Sequence, residues 1–121
     1  MYLCWNNPEM HKKEEKICED LGDRAGLSRS YGNQALILSD WGRLDEAMEM
    51  HKKEEKIKED LGDRAGLAIC WWNMGLIHKD KENKQKTIEL WKKSIKITQS
   101  IGIHIKGIDE NELKKLRENM G

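Results

Sequence analysis

Apolar positions along this chain recur at three- and four-residue spacing, not alternately, so the pattern is helical throughout. On a wheel drawn at about 100° per residue, Leu27, Tyr31, Ala35 and Leu38 share one arc, and residues 24 to 40 predict an amphipathic helix with that arc on the core. Arg29, Asn33, Leu36 and Asp40 gather on the opposite arc, and Ile69, Asn73, Leu76 and Asp80 do the same later in the chain. Residues 44 to 61 predict a second helix that buries Ala47, Met48, Met50, Ile57 and Leu61, with His51 where an apolar residue is expected. Leu21-Gly22-Asp23 and Leu61-Gly62-Asp63 each offer a glycine to end one helix and an aspartate to cap the next. Gly42 supplies a break of a second kind.

The same breaks divide the whole chain. Asn7-Pro8 is a cap followed by a first-turn proline, which predicts a leading helix within residues 8–22. Further helices are expected at 64 to 80 and 83 to 100. Asp109 to Glu112 has capping-box spacing ahead of Leu113, Leu116 and Met120, predicting a short, mostly polar end cap over 109–120.

These elements are copies. Met10 to Leu27 (MHKKEEKICEDLGDRAGL) returns forty positions later as Met50 to Leu67, with only Cys18 against Lys58 differing. A fixed period means that each unit is one supersecondary element unable to bury its apolar face alone, so neighbours stack. The expectation is one domain over residues 1–121: a leading back helix, repeat 1 at 23–62, repeat 2 at 63–102 and a terminal helix, about six helices of an all-α solenoid built from antiparallel hairpins. A recent duplication, an engineered consensus and a piece of a longer array all produce such near-identity.

Composition changes this picture little. Lys plus Arg (22) balances Asp plus Glu (22), which removes the basic excess expected of a nucleic-acid binder. The longest apolar runs fall far short of the roughly 20 residues that span a bilayer, and no signal-like stretch begins the chain. Three cysteines without a Cys-x-x-Cys pair suggest neither a disulfide framework nor a zinc knuckle, and fit a reducing cytoplasm.

The unit with Gly42-Arg43-Leu44-Asp45-Glu46-Ala47 at its inner turn resembles the tetratricopeptide repeat. Ala47 stands at that family's obligatory small position, Tyr31 and Trp71 at its front-helix aromatic, Ala35 and Gly75 at the small position four residues on, and Leu38 and His78 at its next core position. The forty-residue period is similar to the long-unit, kinesin-light-chain-like subclass. Thr87 at the small position, Glu82 in place of the turn glycine and the lack of a unit-ending proline depart from the pattern. The resemblance implies a right-handed superhelix whose front helices line a concave groove for an extended peptide of a partner protein, with Asn33 and Asn73 matching the recurrent groove asparagine. A side-chain amide both donates and accepts, as a neighbouring strand would.

The candidate peptide-binding residues are therefore Arg29, Asn33, Leu36, Asp40, Ile69, Trp72, Asn73, Leu76 and Lys79. Trp72 enters because a tryptophan is costly to leave in water unless a partner covers it, and because Trp71 and Trp72, 100° apart, cannot both point inward; Trp91 is expected in the core. His11 and His51 stand three and four residues from carboxylates, but two ligands per helix leave a metal shell incomplete, and alternating charge is the mark of a solvated face. No catalytic constellation is expected, and no enzyme, metal, cofactor, nucleic acid or membrane is implied. The alternative to peptide binding is self-assembly: the unpaired leading helix, with Met1, Tyr2, Leu3, Cys4 and Trp5 ahead of it, is an uncapped end through which near-identical units would stack into homo-oligomers.

Overall fold

In a computed structural model that describes residues 8–118, the breaks read from the sequence separate six helices: α1 (Pro8–Leu21), α2 (Arg24–Asp40), α3 (Leu44–Leu61), α4 (Arg64–Asp80), α5 (Lys84–Ile101) and α6 (Glu110–Glu118). No strand occurs among the described residues. Asn7, Met120 and the stretch from Met1 to Trp5 lie outside them. The helices divide into two compact units that part between Gly62 and Asp63.

In the first unit α2 packs against both α1 and α3. The Asp23 carboxylate caps α2 by accepting from the Gly26 amide at 2.9 Å, and Gly62 ends α3 at φ 70°. Contact on two sides buries a wider arc of α2 than the wheel assigns. Tyr31 and Ala35 are buried as expected, and so are Ile37, Ser28, Ser30 and Gln34, while Leu27 and Leu38 are half-buried. The polar members reach α1: the Ser30 hydroxyl donates to the His11 carbonyl at 3.1 Å, and the Gln34 amide donates to Glu15 at 2.9 Å. On α3, Ala47, Met48 and Ile57 are buried and Met50 is half-buried, but Leu61 is exposed, because it sits at the last turn where the chain leaves the helix. His51 is buried in its apolar-type position, with Nδ1 2.9 Å from Glu54 Oε1. The room for Glu54 comes from α2: a Cβ on Gly32 would stand 2.7 Å from its Oε2.

In the second unit α4 and α5 form the hairpin and α6 closes one side of α5. Three side chains of α5 donate to carbonyls of α4: Thr87 to Gly75 at 3.0 Å, Trp91 Nε1 to Trp72 at 3.1 Å and Ser94 to Ala68 at 2.7 Å. Thr87 thus serves at the small position, fully buried with its hydroxyl satisfied. Glu82 replaces the turn glycine by adopting a left-handed backbone, φ 62°, against 77° at Gly42. The core is one cluster of Ala68, Trp72, Ile88, Trp91, Ile95, Ile108, Leu113 and Leu116. α6 is therefore more than a polar cap, since Leu113 and Leu116 are buried beside Ile108 of the preceding loop.

Candidate peptide-binding faces

The front helices are α2 and α4. On α2, Arg29, Leu36 and Asp40 are exposed and Asn33 is half-buried; on α4, Ile69, Leu76 and Lys79 are exposed and Asn73 is half-buried. Leu36 and Leu76 expose 39% and 41% of their surface, so the same register presents an apolar side chain three residues after an asparagine on both helices. Helical spacing puts the two side chains of each pair on one face. Arg29 and Ile69 show that this face is not repeated throughout: a cation in one unit is an isoleucine, 44% exposed, in the other.

Trp72 does not belong to the face. It is 7% exposed, and its ring stacks on Trp91 with centroids 4.2 Å apart and planes within 9°. Trp71, at 8%, is buried as well. The two neighbours are both covered because different groups cover them: Trp91 lies on Trp72, while the Lys93 ammonium sits 4.2 Å from the Trp71 ring centroid. Stacking in an offset pair together with area burial outweighs any use of Trp72 at the surface. Lys79 is also partly engaged, its ammonium 5.8 Å from the Trp91 ring centroid. Of the nine candidates, eight remain on the front-helix surfaces and one is core.

Sequence reasoning missed the charge distribution. Residues 1–62 hold 10 Lys and Arg against 14 Asp and Glu, and residues 63–121 hold 12 against 8, so a neutral chain is built from halves of about −4 and +4. Summing charge by unit, not over the chain, is the signal that finds it. It missed a basic rim in the first unit too, where Arg24, Lys52, Lys53 and Lys56 surround an open cavity of about 410 Å³ against Leu27, Tyr31 and Ile57. Lys53 lies 5.4 Å from the Tyr31 ring centroid, and Arg24 donates to Asp60 at 3.0 Å.

Helix hairpins of equal length, a small residue at the inner turn and an aromatic early in each front helix define an all-α helical-repeat fold of the tetratricopeptide type. Among solved structures, 26 chains match this one. One is the crystal structure of BtubC (BKLC) from P. vanneervenii, with a TM-score of 0.70 at 19% sequence identity over 78% of this chain. This chain spans 39% of the length of that protein. At that identity the likeness concerns the fold. No protein-family model and no curated protein matches the chain by sequence. No helix among the described residues is long and apolar enough to cross a membrane.

Proposed function

We propose that this chain is a non-catalytic interaction scaffold that receives a short extended peptide of a partner protein on its front-helix faces. The observation that carries the reading is the recurrence of Asn33 with exposed Leu36 and of Asn73 with exposed Leu76. An amide in each repeat satisfies the backbone of an extended ligand, and the leucine three residues on covers one of its side chains. Arg29, Asp40, Ile69 and Lys79 border the same faces and set which side chains are accepted. The long unit and the likeness to BtubC support the kinesin-light-chain-like subclass, and two buried thiols, Cys18 and Cys70, suit a reducing cytoplasm.

The test is to select binders from a displayed random-peptide library, then measure the affinity of one of them by fluorescence anisotropy. Asn33→Ala with Asn73→Ala should weaken it about tenfold, the loss expected of two hydrogen bonds at about 0.7 kcal/mol each, with helix content unchanged. An affinity that survives the double change removes the asparagines from the site.

Self-assembly is the second reading, and α1 favours it. Ile17 is 57% exposed, whereas its repeat counterpart Ile57, covered by α2, is 6% exposed. Met10 and Leu21 extend the same uncovered stripe. Light scattering behind size exclusion, across concentration and without ligand, separates the readings: a concentration-dependent mass supports assembly, and a constant monomer rejects it.

A further inference from the structure

The second unit holds a cleft of about 560 Å³ between α5 and α6, lined by none of the front-helix candidates. Lys92 and Lys96 stand one turn apart on α5, and Lys114 and Arg117 one turn apart on α6. Between these cations lie Ile95 and Leu113, both buried. The one carboxylate in the lining, Glu110, already accepts a hydrogen bond from the Gln99 amide. All four cations are exposed, and none is held in an ion pair among the described residues.

The internal repeat gives independent support. α3 and α5 align over 18 residues, and only Glu49, Lys52, Lys53, Lys56 and Ile57 recur unchanged, as Glu89, Lys92, Lys93, Lys96 and Ile97. In α3, Glu55 and Glu59 stand within one turn of Lys52 and Lys56; in α5 the same two positions are Ile95 and Gln99. The two helices thus share these lysine positions but differ beside them, where α5 has the floor of the cleft and the partner of Glu110. Positive charge over apolar walls, in the half of the chain that carries the net +4, focuses a field outward from the cleft.

We propose that the α5–α6 cleft is a docking site for an acidic peptide segment, whose carboxylates meet the Lys92–Lys96 and Lys114–Arg117 rows on either side of the buried Ile95 and Leu113. A peptide fits better than a free phosphate or a nucleotide. Carboxylates spaced along one segment can meet both cation rows at once, as a single phosphate does not, and no aromatic ring lines the cleft for a base to stack on. The site is separate from the front-helix faces and does not depend on their reading.

The probe is a short fluorescein-labelled peptide of glutamates, followed by anisotropy at physiological salt. Saturable binding is expected, weakened at least about tenfold by Lys96→Glu with Arg117→Glu. Lys84→Glu with Lys86→Glu changes net charge equally, on exposed positions of the same helix outside the cleft, and should alter affinity less than about threefold. Circular dichroism of each variant confirms that exposed substitutions leave the helices intact. The proposal is overturned if the probe does not bind, if both double variants weaken it equally, or if millimolar inorganic phosphate displaces it. Loss of binding on Asn33→Ala with Asn73→Ala would place the probe on the front helices instead, and would equally overturn the cleft.

Discussion

The indole of Trp91 lies directly on the backbone of Gly75: a Cβ at that glycine would stand 2.5 Å from its Cδ1 and closer still to Nε1. One repeat earlier the two positions are Ala35 and His51. A second exchange accompanies the first, since Gly32 facing Glu54 becomes Trp72 aligned with Ser94. Each time a side chain grows on one helix of the hairpin, its counterpart on the other shrinks, as a close-packed interior requires. Gly75→Ala should therefore destabilise the protein by about 1–3 kcal/mol, the range for forcing a methyl into a filled core. Urea unfolding measures it. Adding Trp91→His should reduce the penalty of Gly75→Ala by at least about 0.5 kcal/mol in a double-mutant cycle; an additive result would mean that the two residues do not constrain one another.

Glu82 holds a left-handed backbone at φ 62° in an exposed turn. That conformation costs a side-chain-bearing residue about 1 kcal/mol, and Gly42 meets the same demand in the other repeat. Glu82→Gly should thus raise stability by up to about 1 kcal/mol, partly offset by the greater freedom of glycine in the unfolded chain. A midpoint that falls would show that the Glu82 side chain stabilises the turn.

Most of the fold was legible because its signals are local. The Gly-Asp pairs, the small residue at the inner turn and the helical period act within a few residues, and the bounds of α1 to α4 match what they predict. α5 starts one residue later, at Lys84, because Asn83 accepts from the Lys86 amide as the cap instead of entering the helix, and it ends one residue later, at Ile101, ahead of Gly102 at φ 70°. What stayed hidden depends on contacts distant in sequence. The wheel cannot show that α2 is covered from two sides, so the burial of Ser30 and Gln34 was missed; nor can it show that Trp91 would receive Trp72, which made a core residue look like a surface one. Asn33, Leu36, Asn73 and Leu76 were legible as a face because their register repeats.

Two weak acids are shifted in the first unit. Burial, with the Asp23 carboxylate next, pushes the Cys18 thiol above its ordinary value of 9.0, and burial followed by Glu15 pushes the Tyr31 phenol above 10.0. A raised value means that the folded state holds its proton more tightly than the unfolded chain does. The stability this provides is present below the ordinary values and is lost as pH rises through 9.0 and then 10.0. Cys18→Ala isolates the first step: the stability difference between wild type and variant should shrink in the direction of the variant as pH climbs past 9. A difference that holds constant to higher pH would remove Cys18 from the titration. The same shift predicts slow alkylation of Cys18 at neutral pH in the native protein, relative to the urea-unfolded chain.

Trp72 and Leu76 lie one turn apart on α4, 7% and 41% exposed, and should separate stability from binding. Trp72→Ala removes one ring of the stacked pair and opens a cavity in the cluster formed with Ile88, Ile95 and Leu113, so it should cost about 3–5 kcal/mol in urea unfolding. Any loss of ligand binding by that variant then follows from a disordered second unit. Leu76→Ala touches no part of the cluster and should change stability by less than about 0.5 kcal/mol. If the front-helix face receives a peptide, the same variant should still weaken a selected binder several-fold, as does Leu36→Ala in the other repeat. The informative combination is a Leu76→Ala protein with unchanged unfolding and unchanged affinity: it would leave the leucine as ordinary exposed surface and place the ligand elsewhere on the molecule.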